Sequence, residues 1–74
     1  MTLDKLQPGQ SAKIVNLYGT GAIKRRLIDM GIIPGTEVTM KRTAPLGDPI
    51  EINIRGYELS LRKNEAKNIE ITKF

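Results

Sequence analysis

The sequence predicts a mainly β domain, a small barrel of about five short strands with one inserted short α-helix. Three observations lead there. Turn-forming residues recur roughly every 8–12 positions from end to end. Apolar and polar residues alternate strictly over 50–54 and again over 57–61. Residues 22–30 are the one stretch whose apolar positions repeat with the period of a helix. Bending such a sheet until it closes removes edges that a short chain has too little material to cover.

The elements follow in order. Leu3 and Leu6 precede the Pro8-Gly9 turn and are expected to pack inward, from a helical turn or an extended lead-in. Residues 11–18 read as the first strand, with Ile14, Val15, Leu17 and Tyr18 favouring β structure. Gly19-Thr20-Gly21 stops it. The helix over 22–30 places Ile23, Leu27 and Met30 on one face; Thr20 is the expected N-cap and Gly31 the left-handed residue that ends it. Pro34-Gly35 suits the centre of a type II turn. Residues 37–43 form the next strand, Val38 and Met40 facing one way and Glu37, Thr39 and Lys41 the other. Pro45, Gly47 and Pro49 make 44–49 a loop, since prolines exclude a helix interior or a central strand. A hairpin comes next: Ile50, Ile52 and Ile54 lead into a tight turn at Arg55-Gly56, and Tyr57, Leu59 and Leu61 return on the same buried face. Asn64 is the expected cap of a single helical turn through Lys67, and Ile69 and Ile71 belong to a closing strand.

A chain of 74 residues allows one domain, taken as 1–74. It has neither Cys nor His. Disulfides, thiolate or imidazole metal sites and the common nucleophile–base dyads are therefore excluded. The 8 carboxylates fall mostly in loops or at the wet positions of strands, with no Asp-x-Asp cluster. Gly19-x-Gly21 lacks the spacing of a phosphate-binding loop. No catalytic residue, metal ligand or cofactor is assigned, and the chain is read as non-enzymatic. No apolar run approaches the roughly 20 residues that span a bilayer, and the first residues lack the pattern of a signal peptide. A soluble, cytoplasmic protein with no direct membrane insertion, monomeric or weakly self-associating, is expected.

Two surfaces stand out. The 12 basic residues exceed the 8 acidic ones, giving a formal charge of +4, and Lys24, Arg25 and Arg26 sit together in the first half of the helix. Positive charge there opposes the helix dipole, and Arg25 and Asp29 stand in the less favourable order for a helix pair. The cluster is either a solvated face or a docking face for an acidic partner. Leu27, Met30, Ile32 and Ile33 follow closely; Leu27 and Met30 are expected in the core, and one of Ile28, Ile32 and Ile33 at the surface beside the arginines. The proline loop is the second surface, with Pro45 pre-ordering an apolar tip at Leu46. The candidate partner-binding residues are Lys24, Arg25, Arg26, Ile28, Ile33, Pro45 and Leu46.

Three segments carry a family resemblance. Arg25-Arg26-Leu27-Ile28-Asp29-Met30-Gly31-Ile32-Ile33-Pro34-Gly35 resembles the Arg-Leu-x-x-Met-Gly-Ile-x-Pro-Gly signature of the FeoA family. Ala44-Pro45-Leu46-Gly47-Asp48-Pro49-Ile50 and Tyr57-Glu58-Leu59-Ser60-Leu61-Arg62 with Glu65-Ala66 extend it in the family's order. The resemblance implies an SH3-like β-barrel with the helix between the first strands. It implies a cytoplasmic accessory protein of bacterial ferrous iron transport, docking on FeoB, a membrane transporter with a guanine-nucleotide-binding domain. The same domain ends some iron-responsive repressors, but this chain carries no helix-turn-helix segment. Two alternatives stay open. A small basic barrel can bind nucleic acid, although Tyr18, Tyr57 and Phe74 are few stacking groups and Tyr57 alternates with buried residues, so no nucleic-acid partner is assigned. Arg25, Arg26 or Arg42 could instead serve the GTPase site of FeoB as an arginine finger.

Overall fold

The alternation over 50–54 becomes a strand buried on one face along its whole length. The computed structural model describes residues 1–74. A 3₁₀ turn, Leu3–Lys5, leads to β1 (Ser11–Leu17), α1 (Gly21–Asp29), β2 (Glu37–Thr43), β3 (Ile50–Ile54), β4 (Tyr57–Leu61), α2 (Lys63–Ala66) and β5 (Ile69–Lys73). The five strands form one antiparallel sheet in the order β4-β3-β2-β1-β5. The helix predicted between the first two strands is there.

Inward-facing residues of all five strands build the core. Ile50, Ile52 and Ile54 of β3 meet Val38 and Met40 of β2, Ala12, Ile14 and Leu17 of β1, Leu61 of β4 and Ile69 and Ile71 of β5. Leu3, Leu6, Leu27, Ile32 and Ala66 close it from outside the sheet. No polar or charged side chain is buried. Register shifts between Ile14 and Asn16 and between Met40 and Arg42 mark bulges that bend the sheet. The first leaves Val15 and Asn16 both outward and returns Leu17 to the core.

The Arg55-Gly56 turn has both residues at positive φ, 52° and 86°, the type I′ geometry whose twist matches paired strands. Gly31, at φ 90°, ends α1 as expected. At the far edge, β5 is covered by the start of the chain. The Ile71 N–H donates to the Met1 carbonyl at 2.7 Å, and Thr2 bridges to Glu70.

Three expectations need correction. Tyr57 follows the inward alternation of β4 but is 60% exposed. It begins an edge strand at the rim of the core, where nothing lies above it. Ile23 is 37% exposed, because the first turn of α1 stands clear of the sheet and Leu27 alone is buried from this helix. The short α2 is capped by Arg62 rather than Asn64, with the Arg62 N–H held by Glu65 at 3.0 Å.

Candidate functional site

The candidate residues occupy two exposed places joined through α2. On α1, Thr20 caps the helix as predicted, its Oγ1 accepting from the Ile23 N–H at 3.2 Å. Leu27 fixes which face turns inward, and half-buried Met30 packs beside the core. Lys24, Arg25 and Arg26 are consequently all exposed. Ile32 is buried, while Ile28 is 48% exposed and Ile33 37%. Two isoleucines are therefore exposed, where the sequence suggested one.

The cationic groups are not equivalent. The Arg26 guanidinium lies 3.2 Å from the Glu65 carboxylate of α2. Lys24 and Arg25 form no ion pair, and the Arg25–Asp29 pair is not made. Arg25, Arg26, Asp29 and Met30 line a shallow depression with Gly21 and Ala22. Arg42 lies away on β2 and is committed to its cross-strand neighbour Glu51 at 2.8 Å. That hydrogen bond holds the Glu51 carboxyl below its usual range. Tyr18 donates to Glu70, which raises the Tyr18 pKa.

The loop over 44–49 is tied down at its base and open at its tip. The Ala44 N–H donates to the Pro49 carbonyl at 3.0 Å, and the Gly47 N–H to the Ala44 carbonyl at 2.7 Å. Pro45 is exposed and Leu46 is 96% exposed, as the sequence suggested. Pro45 lines a depression with Arg42, Thr43, Ala44, Pro49 and Glu51, separate from the one on α1.

The sequence reading missed what connects these places. Asp48 accepts from the Lys63 N–H at 2.9 Å, so the loop is pinned to the first turn of α2. Glu65, in the same short helix, holds Arg26. A groove between them is lined by Arg26, Pro49, Ser60, Leu61, Arg62 and Glu65. No sequence spacing announced this: Glu65 takes the Arg62 N–H, but arginine has no acceptor to return the reciprocal bond by which a capping box is recognised. No three carboxylates converge as a metal site, and no helix is long and apolar enough to cross a membrane.

The model of the FeoA domain family matches residues 1–73. This chain belongs to the FeoA family. A Porphyromonas gingivalis protein described as an "Fe(2+) transport protein A/Fe(2+) transporter FeoB fusion protein" is 38% identical over 71 residues. The match takes in 96% of this chain, which spans only 8% of that relative's length. A FeoA-like protein of Clostridium acetobutylicum, solved by NMR, has a TM-score of 0.93 and 38% identity, covering 100% of this chain and 86% of its own. A Stenotrophomonas maltophilia FeoA crystallised with zinc has a TM-score of 0.83 and 32% identity, covering 97% of this chain and 89% of its own. It is described as a prokaryotic SH3 domain protein. The five-stranded sheet with its inserted helix is that SH3-like fold, and the family is one associated with ferrous iron transport.

Proposed function

We propose that this FeoA-family chain is a non-catalytic docking module that binds the cytoplasmic side of a FeoB transporter and modulates ferrous iron uptake. The observation that carries this reading is the P. gingivalis fusion, in which a segment like this chain is named as one protein with FeoB. Two domains fused in one relative are held at high effective concentration, which favours their working together. The surface agrees in chemistry. Exposed Ile28, one helical turn on from Lys24 and from unpaired Arg25, combines apolar area with positive charge, suited to an acidic partner surface. Exposed Leu46, on a loop anchored by its own hydrogen bonds, loses little conformational freedom on docking.

The test is an NMR titration of the labelled chain with the soluble cytoplasmic domain of FeoB, with and without guanine nucleotide. Shifts are expected over 22–33 and 44–49, and none at hundreds of micromolar partner would remove this reading. Arg25→Glu and Leu46→Asp should each lower iron uptake while leaving melting temperature nearly unchanged; uptake equal to wild type in both would take these two surfaces out of the function. Among the three arginines considered for a role at a GTPase site, Arg25 is the one without an ion-pair partner. Unchanged GTP turnover by FeoB on adding the chain would dispose of that second reading.

A further inference from the structure

The two edges of the sheet are finished differently. At β5 the start of the chain lies along the outer edge and takes the Ile71 N–H. At β4 nothing does. The type I′ turn makes Ile54 and Tyr57 a hydrogen-bonded pair. The register Ile52↔Leu59 and Ile50↔Leu61 continues that set. Glu58 and Ser60 therefore point their N–H and C=O groups away from β3. These four groups have no partner within the chain, and both residues are exposed. The next residue along the edge is already spoken for, since the Arg62 N–H is held by Glu65 and its carbonyl receives the N–H groups of Glu65 and Ala66. The open stretch is thus two outward-facing residues long, enough for four backbone hydrogen bonds to an extended segment.

This edge borders the groove lined by Arg26, Pro49, Ser60, Leu61, Arg62 and Glu65. Arg26 of α1 and Arg62 put two guanidinium groups on this groove against one carboxylate, Glu65. Arg26 is 69% exposed despite its contact with Glu65, and Arg62 is exposed. Glu58, the nearest carboxylate on β4 itself, is engaged by Lys41 at 3.4 Å.

We propose that β4 takes up an extended, acidic segment of the partner by strand addition, with the backbone of Glu58 and Ser60 supplying the hydrogen bonds and Arg26 and Arg62 reading its carboxylates. The assignment rests on the docking function above and names the chemistry of the segment bound. It adds a backbone-reading element to a surface otherwise defined by side chains.

The experiment is amide hydrogen exchange on the labelled full chain, free and saturated with the soluble cytoplasmic domain of FeoB. In the complex the Glu58 and Ser60 amides are expected to slow at least about tenfold, as newly formed ladder hydrogen bonds do. Ser60→Pro removes one outward N–H at an edge position that tolerates proline. It is expected to weaken binding about tenfold, with Ser60→Ala, which keeps that N–H, binding several-fold tighter than the proline variant. Arg26→Gln should weaken binding several-fold and reduce its dependence on salt. Binding without slowed exchange at Glu58 and Ser60 would overturn strand addition while leaving the docking function standing. Absence of any binding would overturn both. The exchange measurement uses the unaltered chain, so it decides the matter even if Ser60→Pro fails to fold.

Discussion

Strand β3 and helix α1 use their residues in opposite ways. Of the 5 residues of β3, Ile50, Ile52 and Ile54 are buried, and the strand is hydrogen-bonded to β2 on one side and β4 on the other. Of the 9 residues of α1, only Leu27 is buried, and the helix is otherwise held by half-buried Met30 and the Arg26–Glu65 pair. The strand carries the stability of the domain and the helix carries its surface. An element held by one apolar anchor can present charge and exposed isoleucines without weakening the core, because little of the core depends on it.

The sharpest way to break that comparison is truncation of the two anchors. Ile52→Ala leaves a hole in the core under the centre of β3 and should cost about 2–5 kcal/mol, the range for emptying a buried aliphatic site. Leu27→Ala should cost less, about 2–3 kcal/mol, because the helix can move away instead of leaving a cavity. Chemical denaturation measures both, and amide exchange of the Leu27→Ala protein should rise over 21–29 while β3 stays protected. Equal losses, with exchange rising everywhere, would make α1 part of the cooperative core.

A smaller effect is expected from Thr20→Ala. It removes the side-chain oxygen that receives the Ile23 N–H and should cost about 1 kcal/mol. Because α1 contributes so little to the core, helicity at low temperature should fall more visibly than the global melting temperature. A melting temperature lowered as far as in Ile52→Ala would contradict the separation of roles.

The smallest effect belongs to pH. Arg42 holds the Glu51 carboxyl below its unfolded value, so the pair's contribution is present above the ordinary carboxylate range and is lost as pH falls through the depressed value. Glu51→Gln should flatten this part of the acid limb of the stability curve. Since the pair is exposed, the change is small. An acid limb identical in wild type and Glu51→Gln would show that the pair contributes nothing.

Local patterns announced most of the fold. Strict alternation of isoleucine with polar residues marked β3, the bounds of β2 coincide with those read from sequence, and Thr20 and Gly31 delimited α1. What failed to show was position relative to the rest of the molecule. Alternation gives the face on which Tyr57 lies but not that β4 ends the sheet, which depends on strand order. Helical period groups Ile23 with Leu27 but does not say how far the helix overhangs the sheet. The exposed tip at Leu46 was legible because prolines act locally. The groove between Arg26 and Ser60 was not, because it brings together α1, β4 and α2 through contacts that no sequence spacing encodes.

The pairing of β1 with β5 has a consequence for how the molecule comes into being. Leu17 lies opposite Ile69, so the sheet is completed only when distant parts of the chain meet. Closing so long a loop costs entropy before any contact returns it, which slows folding relative to helical domains of similar size. The β3–β4 hairpin closes through two residues and has no such wait. An early state with that hairpin formed and β1 not yet docked on β5 would leave Ile69 and Ile71 uncovered. During that interval a newly made chain is most exposed to aggregation, and it is then that a chaperone would have most to offer it.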